Sequence, residues 1–318
     1  MNKPIETASK NITGAEAVVE ILKAHGVEIL FGLCGDTSLP FYDALTRLPH
    51  GMRHILARDE RAAAYMADGY ARVSGKVGVC EGPSGGGATY ILPGLAEANE
   101  SSVPLLCINS DISVSSRGRF TLTELDQGAL MRPVTKWNAV LDNSADLPGT
   151  FREAFRQITT GRPGAAHIAL PFDVQNGPVD RSDVWGDAAF GRYPAERLLP
   201  AAECVEGAAR LLRDAAYPVF ICGGGVIISG AEAELLGLAE RLSAPVATTI
   251  SGKGAIGEHH PLAVGVVGSN GGTPETRAIV DQADLIVFVG CRAGSVTTER
   301  WRHPLPKKTK IVHLDVDA

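Results

Sequence analysis

From Thr13 to Leu170 the chain alternates short apolar runs with stretches of helical period. Thr13-Gly-Ala-Glu16 is a capping box, a Thr answered three residues later by a Glu. It precedes VVEILKAHG, where Val18, Ile21 and Leu22 recur at helical spacing and Gly26 supplies the stop. EILFGL reads as a buried strand, LPFYDALTRL as a helix, RHILA as a strand and ERAAAYMADGYARV as a helix of small residues. VGVCEG is a strand that opens into a glycine-rich turn from Gly82 to Gly87. ATYILPGLAEAN is helical around Pro93, and VPLLCINS is another strand. A strand near Asn138 to Leu141, a helix over Leu147 to Thr160 and the strand AHIALP complete the region. This alternation predicts an α/β fold with a doubly wound parallel sheet and helices on both faces. Ser110 to Arg132 breaks the pattern: it is polar and aperiodic, and long loops at strand carboxyl ends usually carry function.

Asp173 to Pro200 mixes polar residues, Gly and Pro and reads as a linker. A second α/β unit follows. A helix covers about Ala202 to Asp214, YPVFICGGG is a strand running into a glycine turn, and a helix spans about Gly230 to Leu242. APVATTI, LAVGVVG, ADLIVFVG and KIVHLDVD are further strands, so this unit is Rossmann-like and also doubly wound. A helix normally follows such a last strand, so the second domain is expected to be cut short. The domain expectation is 1–175, a linker over 176–200, and 201–318.

Composition narrows the function classes. A chain of 318 residues exceeds one ordinary core, which agrees with two domains. A formal charge of −6 argues against nucleic acid as a partner, because phosphate binding needs a basic surface. No apolar run approaches the length of a membrane span, and MNKPIETASKN has no apolar stretch after its lysine to serve as a secretory signal. The expected location is the cytoplasm. Cys34, Cys80, Cys107, Cys204, Cys222 and Cys291 are scattered without a Cys-x-x-Cys pair and are read as buried free thiols. Neither His50 with His54 nor His259 with His260 has the setting of a zinc site.

Two segments carry candidate chemistry. Gly82-Pro-Ser-Gly-Gly-Gly-Ala-Thr89 is a strand-to-helix turn that exposes backbone N–H groups and lets a flat ring approach closely. A tight turn with no ligand explains it equally well. It is not a P-loop, since no Gly-Lys-Ser/Thr follows. In Arg58-Asp-Glu-Arg-Ala-Ala-Ala-Tyr-Met-Ala-Asp-Gly-Tyr-Ala-Arg72, Glu60 opens a helix of small and apolar residues. An acidic residue in a first turn is commonly no more than a favourable dipole partner; here the apolar helix suggests a buried carboxyl instead.

RDERAAAYMADGYARVSGKVGV, the GPSGGGAT turn, PVTKWN, TGRPGAAHIALPFDV, the VFICGGG-to-ISGKG stretch and IVHLDVD occur in the order and spacing of one family. Together they resemble the thiamine-diphosphate enzymes of acetolactate-synthase type across nearly the whole chain. The resemblance implies a pyrimidine-binding first domain and a central second domain. It places the cofactor-activating glutamate on Glu60. A carboxyl hydrogen-bonded to the pyrimidine N1′ favours the imino tautomer of the neighbouring amine, which takes the proton from thiazolium C2. It further implies cofactor contacts at Gly35, Asp36, Pro83, Gly85, Gly86 and Gly87, and substrate-side contacts at Thr123 and Gln127. It assigns no metal ligand to this chain. The family's Mg²⁺-holding Gly-Asp-Gly is not found; Gly35-Asp36 is followed by Thr37. Thiamine diphosphate and Mg²⁺ are therefore expected to need a diphosphate-binding domain on another chain or in a missing C-terminal part, within a homo- or hetero-oligomer.

The departures from the family are specific. Asp59 stands where the family often has His, and Gly86 where it often has Pro. Thr123 occupies the place of a substrate-side Gln of acetolactate synthases, and TLTELDQ resembles relatives such as oxalyl-CoA decarboxylase and sulfoacetaldehyde acetyltransferase. Gly223 to Gly225 sits where some relatives bind FAD or ADP. Gly290-Cys-Arg-Ala-Gly-Ser295 lacks the acidic pair of flavin-binding members, which favours a structural role there. The leading expectation is a component of a 2-keto-acid decarboxylating and carboligating enzyme, inactive alone. The alternatives are a non-catalytic assembly or regulatory subunit with the same fold, and a nucleotide-binding Rossmann protein using Gly223 to Gly225. The small-residue helix from Ala62 to Ala71 suits close packing, either inside its domain or against a partner.

Overall fold

A computed structural model describes residues 10–303 and 309–317. The chain forms two compact units, the first ending at Glu196 and the second beginning at Arg197. No helix among the described residues is long and apolar enough to cross a membrane.

The first unit opens with β1 (Asn11–Thr13), α1 (Gly14–Ala24), β2 (Ile29–Gly32), α2 (Leu39–Arg47), β3 (Arg53–Leu56) and α3 (Glu60–Ser74). It continues through β4 (Gly78–Gly82), α4 (Gly86–Tyr90), α5 (Leu92–Glu100), β5 (Leu105–Asp111) and α6 (Gln127–Met131). It closes with β6 (Trp137–Val140), α7 (Leu147–Thr159), β7 (Ala165–Pro171), α8 (Phe172–Asn176) and β8 (Pro178–Asp180). Six strands form one sheet in the order β3-β2-β4-β5-β7-β6, and every pair in it is parallel. The strand order reverses between β2 and β4, and in open α/β sheets ligands bind outside the strand carboxyl ends at such a point. The Thr13–Glu16 capping box forms in full at the start of α1.

Side chains alternate across the sheet because strand period is two. Leu30, Val79, Leu106, Ile108 and Ile168 point to the side covered by α1, α2 and α7. Phe31, Cys80, Leu105 and Cys107 point to the side covered by α3 and α5. The small residues of α3 have a local cause. A Cβ on Gly78 would lie 2.2 Å from the Ala67 carbonyl oxygen, and one on Gly94 would lie 2.4 Å from Ala64 Cβ. Helix α3 thus spends its Ala63-Ala64-Ala67-Ala71 stripe on β4 and α5 within its own unit. Left-handed Gly75, φ +67°, ends it.

The stretch after Asp173 that reads as a linker contains α8 and β8, and β8 pairs antiparallel with β1, Ile12 opposite Val179. That pairing joins segments far apart in sequence, which local composition does not reveal. All six cysteines are free, but Cys34 and Cys204 are exposed rather than buried; both sit outside strands.

The second unit contains α9 (Ala202–Asp214), β9 (Pro218–Cys222), α10 (Gly224–Ser229), α11 (Glu232–Leu242), β10 (Val246–Thr248), β11 (Ala263–Val266), α12 (Pro274–Val280), β12 (Leu285–Val289) and β13 (Lys310–Leu314). Five strands form a parallel sheet in the order β11-β10-β9-β12-β13. The expected helix over Gly230 to Leu242 is the second of two, because left-handed Gly230 ends α10 first.

Candidate active site

The site builds up at the carboxyl ends of β2, β4 and β5. Strand β2 runs into Gly35, which meets Pro83 from the end of β4: a Cβ on Gly35 would lie 2.5 Å from Pro83 Cβ. Thr37 follows, and its Oγ1 accepts from the Ser84 backbone N–H at 3.1 Å and lies 3.0 Å from Ser110 Oγ at the end of β5. Ser84 Oγ in turn lies 2.7 Å from Thr123 Oγ1 in the loop after β5. A short network of hydroxyl groups therefore ties four separate segments into one rim.

Glu60 enters from the other side. Asp59 caps α3, its side chain accepting from the Arg61 backbone N–H at 2.8 Å, and Glu60 is the first residue of the helix. It is only 7% exposed. Its side chain runs beneath the glycine turn. A Cβ on Gly82 would lie 3.3 Å from Glu60 Cγ, and a Cβ on Gly87 would lie 3.1 Å from Glu60 Oε1. Gly85 takes φ +65°, the left-handed region that favours glycine, and a Cβ there would lie 2.7 Å from Thr123 Cβ. The turn's backbone thus packs directly against Glu60 and against the loop after β5, with no side chain between. A flat polar ring can meet a carboxyl only where no side chain intervenes, so the residues present fit the pyrimidine end of thiamine diphosphate.

The sequence-derived candidates distribute unevenly. Glu60, Gly35, Pro83, Gly85, Gly87 and Thr123 come together at this cleft. Asp36 belongs to the same turn and is exposed. Gly86 starts α4, and a Cβ on it would meet nothing within 4 Å. Gln127 is buried and turned inward: its Nε2 donates to the Ser110 carbonyl at 3.0 Å, which places it under the rim as a support. Thr37, Ser84, Ser110 and Asn109 were not among the candidates. Asn109 Nδ2 donates to the Gly82 carbonyl at 3.0 Å and so fixes the first residue of the turn. Hydroxyl residues in loops are too common to single out; only their convergence marks these.

The loop after β5 is held in several places. Asp173 accepts from the backbone N–H groups of Val114 and Ser115, and Arg117 pairs with Asp142 at 2.6 Å. Glu124 accepts from the Gly118 N–H at 2.6 Å. Phe120 and Leu122, between these ties, are fully or nearly fully exposed.

In the second unit the Gly223–Gly225 turn is explained by backbone packing. A Cβ on Gly223 would lie 2.1 Å from the Gly290 carbonyl oxygen, and one on Gly225 would lie 2.6 Å from Gly290 Cα. A small, half-open pocket in this unit is lined by residues including Gly268, Thr273, Arg277 and His303, and contains none of the sequence-derived candidates.

A parallel sheet whose switch point brings a buried helix-initiating glutamate against a bare glycine turn defines a class. Residues 12–130 match the thiamine pyrophosphate enzyme N-terminal TPP binding domain, and residues 205–318 match the thiamine pyrophosphate enzyme central domain. The chain belongs to the thiamine pyrophosphate enzyme family. Within that family it is similar to acetolactate synthases. It is 42% identical over 314 residues to a probable acetolactate synthase large subunit of Methanocaldococcus jannaschii, covering 96% of this chain and 51% of that protein. It is 38% identical to an acetolactate synthase of Arthrospira platensis, covering 98% of this chain and 54% of that protein. It is 35% identical to the acetolactate synthase isozyme 1 large subunit of Escherichia coli, covering 97% and 53%. The chain spans about half the length of the curated relatives it matches.

Proposed function

We propose that this chain supplies the cofactor-activating half of a thiamine-diphosphate-dependent enzyme that decarboxylates and joins 2-keto acids. The observation that carries the reading is Glu60, buried at the first position of α3 and packed directly against the bare backbone of Gly82 and Gly87. When bound, thiamine diphosphate supplies the electron sink that 2-keto-acid decarboxylation and carbon–carbon bond formation require. Glu60 would hold the pyrimidine N1′ and share a proton with it. Gly82, Gly85 and Gly87 would admit the ring, and Gly35 with Pro83 would set the width of the cleft. Thr123, tied to Ser84, would face the substrate side, with Gln127 supporting the strand end beneath. The domain division 1–175, 176–200 and 201–318 is proposed as the functional one, the first part being the pyrimidine-binding domain.

The diphosphate and Mg²⁺ would be held by a further domain, on a partner chain or in a C-terminal continuation, so this chain alone is expected to bind cofactor weakly and to turn over no substrate. Calorimetric titration with thiamine diphosphate and Mg²⁺ tests this: a sub-micromolar, Mg²⁺-dependent dissociation constant for the chain by itself would contradict it. The role of Glu60 is tested in the protein joined to a diphosphate-binding domain, by following exchange of the cofactor C2 proton with deuterated water in wild type and Glu60→Gln.

A further inference from the structure

Every residue of β4 is buried, and one of them is charged by type: Glu81, 1% exposed. It points to the opposite side of the sheet from Cys80, toward α2. There Tyr42 Oη donates to Glu81 Oε2 at 2.7 Å. His54 of β3 places its Nε2 3.2 Å from the same Tyr42 oxygen. A phenol has one proton; while Glu81 is ionised that proton is committed to it, and His54 is then the donor in the second bond. The bonds therefore run in one sense, from His54 Nε2–H through Tyr42 Oη–H to Glu81 Oε2, and from a half-buried ring to a fully buried carboxyl. Glu81 Oε1 has no partner among the described residues. The next residue, Gly82, faces the other side of the strand, where its missing Cβ would touch Glu60 Cγ at 3.3 Å. Two carboxyls thus flank one strand end.

We propose that His54, Tyr42 and Glu81 form a proton relay into the carboxyl end of β4, and that Glu81 is a positioning residue whose charge state is felt by Glu60 across the strand. The functional meaning of the second clause rests on the reading of Glu60 given above; the relay itself does not. In the step, the His54 Nε2–H bond breaks as an O–H bond forms on Tyr42, and the original Tyr42 O–H bond breaks as one forms on Glu81. Imidazolium and carboxylate become imidazole and carboxylic acid, with no change in net charge.

The surroundings favour the proton at the carboxyl end. Burial pushes Glu81 up to about 8, partly offset by the hydrogen bond from Tyr42 and by the nearby Ser38 hydroxyl, while the Glu60 charge adds to the upward push. Burial pushes His54 down. The usual order of acid and imidazole is thereby inverted. The other titratable groups around Glu81 are Tyr42 on α2, Cys34 in the turn after β2 and Cys107 on β5, and each is itself pushed up chiefly by burial, leaving it neutral near neutrality. Repulsion between Glu81 and Glu60 is mutual, so discharging Glu81 also changes the field at Glu60.

The test is a carbon NMR titration of the full chain labelled with ¹³C at glutamate Cδ, the Glu81 and Glu60 signals being assigned by their loss in Glu81→Gln and Glu60→Gln. The relay requires a Glu81 midpoint near 8, a step at the same pH in the Glu60 signal and in the His54 ring signals, and loss of the His54 step in Tyr42→Phe. A Glu81 midpoint near the ordinary ~4.3 overturns it, as does a His54 response that is the same with and without the Tyr42 hydroxyl. Absence of a step at Glu60 removes the positioning role. Should Glu81→Gln fail to fold, the infrared spectrum of the labelled wild type decides: a protonated glutamate band must be present at neutral pH and disappear under alkali, and its absence at neutral pH sinks the relay. No cofactor takes part in these measurements, so their failure is separable from failure of the C2-exchange test of Glu60.

Discussion

Glu60 Oε1 lies 3.1 Å from the place a Cβ on Gly87 would occupy, so the helix start and the glycine turn pack together only because position 87 carries no side chain. The same Cβ would lie 2.6 Å from Pro83 Cδ, in a ring that cannot rotate away. Gly87→Ala is therefore expected to destabilise the chain by about 1–3 kcal/mol, the usual cost of overpacking, and to abolish cofactor activation in the longer protein. Gly86→Ala is the contrast. Its Cβ meets nothing within 4 Å and lies in a helical first turn, so its stability should change by less than about 1 kcal/mol. Urea denaturation of the two variants checks this; equal losses would mean the turn is not shaped by Glu60 and Pro83.

Glu60→Gln keeps the size of the side chain and removes its ability to share an acidic proton. In the protein carrying a diphosphate-binding domain, C2-proton exchange and turnover are expected to fall by about 100- to 10,000-fold, the range typical of a positioned acid or base. Stability should change by about 1 kcal/mol or less, the worth of an acidic residue in a helical first turn. A stability loss without a change in exchange would reduce Glu60 to a helix-terminal partner.

Two buried groups set opposite limbs of the pH–stability profile. The Glu81 carboxyl goes from an ordinary 4.5 to about 8 in the fold, so the native state holds the extra proton and stability falls as pH rises from about 4.5 through about 8. His167 has no partner for either ring nitrogen among the described residues, and burial pushes it from 6.5 to about 3. There the unfolded state holds the extra proton, so stability falls as pH drops from about 6.5 through about 3. Glu81→Gln should flatten the alkaline limb and His167→Leu the acid limb of urea midpoints measured across pH. Because an unpartnered buried polar group costs about 1–3 kcal/mol, His167→Leu should also be at least as stable as wild type near neutrality. A destabilised His167→Leu with an unchanged acid limb would show that the ring is partnered in solution.

The alternation of strands and helices was legible because the strands of the two parallel sheets are short apolar runs and the longer helices have a clear period or a cap, as at Thr13 with Glu16. Glu60 and the glycine turn were singled out by the family resemblance, since an acidic residue in a first helical turn and a run of glycines each have an ordinary local reading. The pairing of β1 with β8 was not, since Asn11 and Asp180 meet only through the tertiary fold. Nor was the hydroxyl rim: Thr37, Ser84 and Ser110 come from three strand ends, and nothing local separates them from other loop residues. Glu81 did leave a signal. A carboxyl inside VGVCEG, a run otherwise fit for a fully buried strand, is the kind of local conflict that points to a site.

Thr123 holds a backbone conformation that β-branched residues avoid, φ 71°. Such strain costs about 1–3 kcal/mol and persists only where the surroundings impose it. Here they do: Ser84 Oγ lies 2.7 Å from the Thr123 hydroxyl, and left-handed Gly85 leaves room for its side chain. Thr123→Gly relieves the strain and deletes the hydroxyl in one change. The chain is expected to resist urea as well as wild type or better, while amide hydrogens in the segment from Val114 to Asp126 exchange faster. In a protein joined to a diphosphate-binding domain, turnover should drop by about 10- to 100-fold if Thr123 takes the substrate-facing role proposed above, because that placement is lost. Thr123→Ser keeps the hydroxyl and should retain most turnover. The opposite pattern, a less stable Thr123→Gly with undiminished turnover, would show that the loop position serves the fold and has no part in the chemistry.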